Sequence, residues 1–394
     1  MGASLESNLN LGREVMDVHG YCDERFARVR DVFVENFTDR GDVGACFAVS
    51  LEGEFVVDLW GGYQDAARRR PWQKDTIVNV YSSTKPMAAI CALMLADRGQ
   101  LDLEAPVANY WPEFAHNGKD RVLVKHLMSH SAGLPGFSRA FTTEELCDWD
   151  FCCSDLAAQA TWWEAGKQSG YHVITQGYLI GEVVRRITGQ SIGQYFKTEV
   201  ADKLGADFHI GMDPADFGRI ADLIAAAEPT PLLDLDPDSI PGRALAGLDL
   251  SPETAASTGW RQAEIPAGNG HGNARSIVRA QTAMANSGSA FGVELLSAAG
   301  CAKALELQTE GLDLVVGIPV KYALGFALPS AKLPVSPNAN TLFWGGKGGS
   351  TVMVDTDARV CSSYVMNQMD NFMMPGPRGQ ALSDAVYESL AVIS

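Results

Sequence analysis

The chain has 394 residues, 46% hydrophobic and 20% charged. That is enough apolar material for a large core, and it excludes a fibrous or disordered chain. A formal net charge of −17 sets the surface against a phosphate backbone and excludes nucleic acid as a partner.

From the N-terminus, Met1 to Asn10 carries no basic n-region and no apolar stretch, so no signal peptide is expected. No later window is apolar for long enough to predict a membrane span. Asp23 to Asp39 spaces Phe26, Val29, Val32, Phe33 and Phe37 at nearly helical intervals, predicting a helix. The β-prone runs 45–51 and 54–60 flank Glu52-Gly53 and predict a hairpin. A short apolar run, Thr76 to Tyr81, leads into Ser82-Ser83-Thr84-Lys85-Pro86. The stretch after it, to Gly99, is apolar on nearly every side. It predicts a buried helix, N-capped by serine or threonine, with Pro86 in its first turn.

Helices are further expected from Val122 to Ser131, Glu144 to Asp150, Ile174 to Thr188 and Ile192 to Leu204. The C-terminal part changes character. Tyr322 to Leu328, Thr341 to Trp344, Ser350 to Asp355 and Arg359 to Met366 predict strands, with a hairpin turn at Asp355-Thr356-Asp357-Ala358 and a closing helix from Gln380 to Val392. Strands at both ends around a helical middle predict one sheet built from both termini, with the helical part inserted.

The eight cysteines (Cys22, Cys46, Cys91, Cys147, Cys152, Cys153, Cys301 and Cys361) are scattered, and neither C-x-x-C nor H-E-x-x-H occurs. Reduced thiols in a cytoplasmic protein are expected, with no metal site and no cofactor.

Three constellations carry chemistry. In Ser82-Ser83-Thr84-Lys85, residue i+3 falls on the same helical face, so the lysine amine can approach the serine hydroxyl. Burial in an apolar helix lowers the lysine pKa toward a value at which it accepts a proton. The same four residues also read as an ordinary N-cap followed by a solvated lysine. The second constellation is Gly170-Tyr171-His172-Val173, in which Tyr171 becomes a general base if a nearby cation such as Lys85 lowers its pKa; the alternative is a buried tyrosine with a satisfied hydroxyl. The third is Phe343-Trp344-Gly345-Gly346-Lys347-Gly348-Gly349-Ser350, whose glycines allow close approach of a ligand to backbone N–H donors, or simply form a Gly-rich bulge. It matches no phosphate-binding fingerprint. Gly189-Gln190-Ser191-Ile192-Gly193 fits the nucleophile-elbow pattern, but a helix precedes it where that motif needs a strand; Ser191 is expected to be a helix N-cap.

Taken in order, these motifs resemble the serine β-lactamase and penicillin-binding protein superfamily, and most closely the family VIII carboxylesterases with the class C β-lactamase fold. Leu127-Met128-Ser129-His130-Ser131-Ala132-Gly133-Leu134 and Asn269-Gly270-His271-Gly272-Asn273-Ala274-Arg275 support the likeness, which runs from about Val43 to Met369. The chain departs from class C β-lactamases in having Val173 in place of an asparagine and Trp344-Gly345-Gly346 in place of Lys-Thr-Gly. In an alternative register, Lys347 fills the lysine position.

The resemblance implies an α/β (α+β) β-lactamase-like fold with an antiparallel sheet flanked by helices. Residues 1–81 and 272–394 would form the sheet domain and 82–271 the mainly helical one, with the active site at their interface. It implies a carboxylic ester hydrolase acting through an acyl-serine on small or short-chain esters, with Ser82 as nucleophile and Lys85 with Tyr171 as base. The oxyanion would be held by the N–H groups of Ser82 and Lys347. Substrate would meet Trp344, Gly345, Gly346, His172, Val173, Phe137 and Trp149, with Phe141, Phe151, Trp162 and Trp163 as further candidate lining. A β-lactamase, D-amino-acid peptidase or acyltransferase on the same fold, and a non-catalytic binding homologue, are the alternatives. No nucleic acid or membrane partner is implied, and a homo-oligomer is left open.

Overall fold

Glu52 and Gly53 both adopt positive φ, 52° and 89°, as a tight two-residue hairpin turn needs. The computed structural model describes residues 17–227, 235–372 and 375–393; Met1 to Asn10, read above for leader signals, lies outside them. Three strands come from the N-terminal part: β1 (Val18–Cys22), β2 (Gly44–Leu51) and β3 (Glu54–Gly62). Six come from the C-terminal part: β4 (Thr309–Leu312), β5 (Pro319–Tyr322), β6 (Ala327–Leu328), β7 (Thr341–Gly345), β8 (Thr351–Asp355) and β9 (Val360–Met366). They form one nine-stranded antiparallel sheet in the order β1-β3-β2-β9-β8-β7-β6-β5-β4, so β2 and β9, from opposite ends of the chain, pair at its centre.

These central strands are buried on both faces, which is why they read as unbroken apolar runs. Ala45, Phe47 and Val49 of β2 face one core, with Val360 and Tyr364 of β9. Cys46 and Ala48 face the other, with Cys361 and Val365. The first core is closed by α1 (Ala27–Asp39) and the C-terminal helix Pro377–Ile393. The second is shared with a helical layer that contains α2 (Lys85–Asp97), α3 (Thr175–Thr188) and α4 (Ala274–Ala285), and α4 packs directly on β2, β8 and β9. Among the described residues no helix is long and apolar enough to cross a membrane.

Several local expectations change. β1 and β4, at the two sheet edges, were not anticipated. Tyr322 to Leu328 is not one strand: Ala323–Phe326 turns, and β5 and β6 pair with each other. The helix expected from Val122 to Ser131 covers only Val124–Met128. Glu144 to Asp150 divides at Asp148, whose carboxylate caps a new helix, Trp149–Ala158, by accepting from Phe151 N–H. From Ile192 to Leu204 the chain stays helical but passes through a π-helical turn at Lys197–Ala201. Ser191 is an N-cap, as expected, and lies beyond the left-handed Gly189 that ends α3.

Candidate active site

Ser82 does not start α2. It sits in a 3₁₀ turn, Tyr81–Thr84, that runs straight into the helix. In a 3₁₀ turn side chains at i and i+3 eclipse, which brings Lys85 Nζ to 3.2 Å from Ser82 Oγ. The expected serine or threonine cap is absent, because the turn is continuous with the helix; Thr84 Oγ1 instead donates to Tyr81 O at 2.5 Å. Tyr81 takes a left-handed φ of 45°, a conformation that costs free energy in a non-glycine residue and holds the following serine at the cavity wall. Ser82 is partly exposed, whereas Lys85 is only 2% exposed.

Lys85 Nζ also lies 2.7 Å from Val173 O and 2.9 Å from Ala267 O. Burial drives its pKa well below the usual lysine range. A neutral amine has two N–H bonds, which the two carbonyls accept, and one lone pair, which is left for Ser82.

Tyr171 donates its hydroxyl hydrogen to Ser82 Oγ at 2.6 Å, and Lys85 Nζ lies 4.7 Å from its ring centre. Burial pushes the phenol pKa up, and the bond to Ser82 offsets this only in part. That runs against the expected direction: the burial that raises the phenol pKa also disfavours charge on Lys85, and so weakens the cation expected to stabilise a phenolate. Two residues to which the sequence assigns no role fix Tyr171: Asp313, which it does not single out, and His130, which enters only within a supporting stretch. Buried Asp313 accepts from the N–H groups of Tyr171, Val315 and Val316 at 3.1, 2.8 and 2.9 Å, and from the Tyr322 hydroxyl at 3.0 Å. His130, at φ 56°, packs edge-on to the Tyr171 ring, with centroids 5.1 Å apart, and stacks on Trp344 at 5.3 Å. Its Nδ1 accepts from His172 N–H at 3.0 Å.

The glycine run lies where β7 ends. A Cβ on Gly346 would stand 2.1 Å from Val80 O, so only glycine lets this strand end close on the turn that carries Ser82. Ser350 Oγ, bonded to Val80 O at 3.0 Å and Ser83 Oγ at 2.9 Å, clamps the same contact. Lys347 follows in the turn, its ammonium donating to Leu250 O at 2.6 Å. Among the described residues, the backbone N–H groups of Ser82 and Lys347 donate to no protein atom.

A cavity of about 460 Å³ opens at Ser82, walled by Tyr81, Tyr171, Val173, Leu248, Gly345 and Lys347 among others. A second, of about 210 Å³, adjoins it at Tyr171 and Gly345 and is lined by Val316, Ile318, Tyr322, Leu333 and Trp344 among others. Of the seven aromatics expected to line a pocket, only Trp344 borders either cavity.

Phe137 and Trp149 are not brought to the site. Phe137 stacks on Phe141 with centroids 4.1 Å apart, and Trp149 packs on Tyr178 and donates to Glu182 at 2.9 Å, so both complete the helical core. Phe151 packs against Phe141, Trp162 lies under Arg243, and Trp163 bonds Gln168 O. His172 also stays out of both cavities. Its ring is fully buried, with Nδ1–H on Gly170 O at 2.6 Å and Nε2 accepting from Leu134 N–H at 3.1 Å. Val173 lines the first cavity, whereas Gly346 borders neither cavity and supports the strand end.

With this geometry in place, the sequence matches the beta-lactamase family over residues 29–385. The esterase/beta-lactamase LipL of Mycobacterium tuberculosis is 35% identical over 364 residues, covering 89% of this chain and 83% of LipL. The crystal structure of a family VIII carboxylesterase superposes with a TM-score of 0.90 at 40% identity, covering 95% of this chain and all of that one. A penicillin-binding protein homologue from Caulobacter crescentus superposes with a TM-score of 0.88 at 37% identity, over 95% of this chain.

Proposed function

We propose that this chain, which belongs to the beta-lactamase family, is a carboxylic ester hydrolase that works through an acyl-enzyme on Ser82. The observation that carries the reading is the convergence on one serine oxygen of Lys85 Nζ at 3.2 Å and the Tyr171 hydroxyl at 2.6 Å, beside a cavity large enough for an ester. The esterase names of LipL and of the superposed carboxylesterase support the same reaction.

The geometry supports the following sequence of steps. Neutral Lys85 takes the Ser82 proton as Oγ attacks the ester carbonyl. The Ser82 and Lys347 N–H groups receive the oxyanion in a site that excludes much of the solvent. Tyr171 gives its phenolic proton to the departing alkoxide, and the Lys85 ammonium restores it. Water then hydrolyses the acyl-enzyme by the reverse relay, returning a proton to Ser82. Lys85 and Tyr171 titrate as a coupled pair. Acylation, the Ser-x-x-Lys roles and the substrate contacts of Trp344, Gly345 and Val173 belong to this proposal. So does a cytoplasmic location, supported by eight cysteines that are all free thiols.

Hydrolysis of p-nitrophenyl butyrate by wild type, Ser82→Ala and Ser191→Ala tests the reading. Turnover lost in Ser82→Ala and kept in Ser191→Ala is expected; turnover kept in Ser82→Ala overturns it. One observation favours a second reading, β-lactam hydrolysis: Lys347 places an ammonium in the Ser82 cavity, where it can meet a substrate carboxylate. A chromogenic cephalosporin in the same assay separates the two, and ester turnover is expected to exceed it.

A further inference from the structure

The two cavities that meet at Tyr171 and Gly345 differ in chemistry. The one at Ser82 contains both proposed oxyanion donors and carries the charges of Lys347 and Asp370 on its wall. Among the described residues the other is lined by no charged side chain: aliphatic Val316, Ile318, Val320 and Leu333 line it with Tyr322 and Trp344. Its wall reaches the surface at an apolar residue too, Ile318, which is 40% exposed. An engineered apolar cavity of about 150 Å³ holds benzene, so about 210 Å³ accepts a phenyl-sized ring or a branched aliphatic group.

The proton path decides which half of an ester enters which cavity. The carbonyl carbon must lie at Ser82 Oγ with its oxygen toward the Ser82 and Lys347 N–H groups, and both residues line the first cavity only. The bond that breaks joins that carbon to the alcohol oxygen, which leaves as a neutral alcohol only by taking a proton. Tyr171 is the donor that already points at the reacting oxygen, at 2.6 Å from Ser82 Oγ. The alcohol oxygen therefore sits against Tyr171, and its substituent continues past Tyr171 and Gly345 into the charge-free cavity.

Resting on the esterase reading, we infer that the second cavity is the leaving-group site and selects esters of bulky, uncharged, apolar alcohols. The acyl group stays in the Ser82 cavity, beside Leu245 and Leu248. Ser82 Oγ–C forms, C–O to the alcohol breaks, the alkoxide takes the Tyr171 proton, and Lys85, holding the Ser82 proton, restores the phenol. A cationic or anionic alcohol would lose its hydration in this cavity without gaining a partner, and is rejected.

The test uses two ester series, methyl against benzyl butanoate for the alcohol and methyl butanoate against methyl phenylacetate for the acyl group. Leu333→Trp narrows the second cavity, Ile318→Trp narrows its partly exposed rim, and Leu248→Trp narrows the first. Wild type should prefer benzyl to methyl butanoate in kcat/KM. Both second-cavity variants should lower that benzyl-to-methyl ratio about tenfold or more, and Leu248→Trp should act instead on the acyl ratio. Ile318→Trp, at an exposed position, carries the comparison if Leu333→Trp does not fold. The inference is overturned if the second-cavity variants change the acyl ratio and spare the alcohol ratio, or if wild type prefers the methyl ester. A wild type inert toward every ester would instead remove the esterase reading beneath it.

Discussion

Lys85 Nζ has three neighbours, and as a neutral amine it has two protons to give. In the neutral form proposed for catalysis the two backbone carbonyls take those protons, and the third direction, toward Ser82 Oγ, is left to the lone pair that would accept the serine proton. The pH dependence follows with a definite sign. Because burial lowers the Lys85 pKa, the free amine already predominates well below the ordinary lysine range, and kcat/KM should fall only as pH drops through that lowered value. Because burial raises the Tyr171 pKa, the phenol keeps its proton past the ordinary tyrosine range, and activity should not gain from phenolate near pH 10. A kcat/KM profile that climbs through that region would instead make the phenolate the base. At this scale the sequence was informative wherever a motif fixed local spacing, as at Ser82 and Lys85. It was silent on Asp313, and it placed His130 and Ser350 in motifs without giving either a role, because all three act through partners remote in the chain. Asp313 reaches Tyr171 across 142 positions, and Ser350 reaches Ser83 across 267.

Among the elements, the end of β7 and the turn carrying Ser82 act together. Gly346 abuts Val80 O, and the two proposed oxyanion donors lie on either side of that contact. Gly346→Ala should drive the strand end away from the turn and misplace the Lys347 N–H. Loss of one oxyanion donor costs roughly 10²–10³-fold in kcat, and a fall toward that range with a smaller change in KM is expected from steady-state kinetics. An unchanged kcat would show that the Lys347 N–H has no part in the reaction. Elements were legible where one periodicity dominated: β2 and β9 alternate between two apolar cores, and α2 is buried on all sides. They were misread where a local cap competed with the pattern, as at Asp148, or where a run carried a turn, as between β5 and β6. Edge strands such as β1 expose side chains on both faces and leave little apolar signal.

The molecule as a whole is closed by its ends. Asp42, just after α1, is fully buried and bonds Arg378 of the C-terminal helix at 2.5 Å and the Tyr364 hydroxyl of β9 at 2.6 Å. Burial opposes charge on both partners and pushes the Asp42 carboxyl up to about 6, against the pull of Arg378 and the tyrosine bond. Asp42→Asn leaves Arg378 buried with its closest counter-charge gone, a loss of about 3–5 kcal/mol for a broken buried pair. Denaturant unfolding should register it, and a change under 1 kcal/mol would mean that water replaces the lost carboxylate. A sheet drawing strands from both ends could be read from where the β-prone runs lie, since only the ends carry them. The aromatic pocket wall could not. Phe137 and Trp149 both pack on Tyr178 in the helical core, and composition does not separate core aromatics from lining ones.

The most direct test of the account is the intact mass of the protein, quenched within a brief exposure to p-nitrophenyl butyrate, with the modified peptide then identified. The account predicts a single added butanoyl group on Ser82 that disappears with time, and no adduct in Ser82→Ala. An adduct on another residue, or steady turnover by Ser82→Ala, would contradict it.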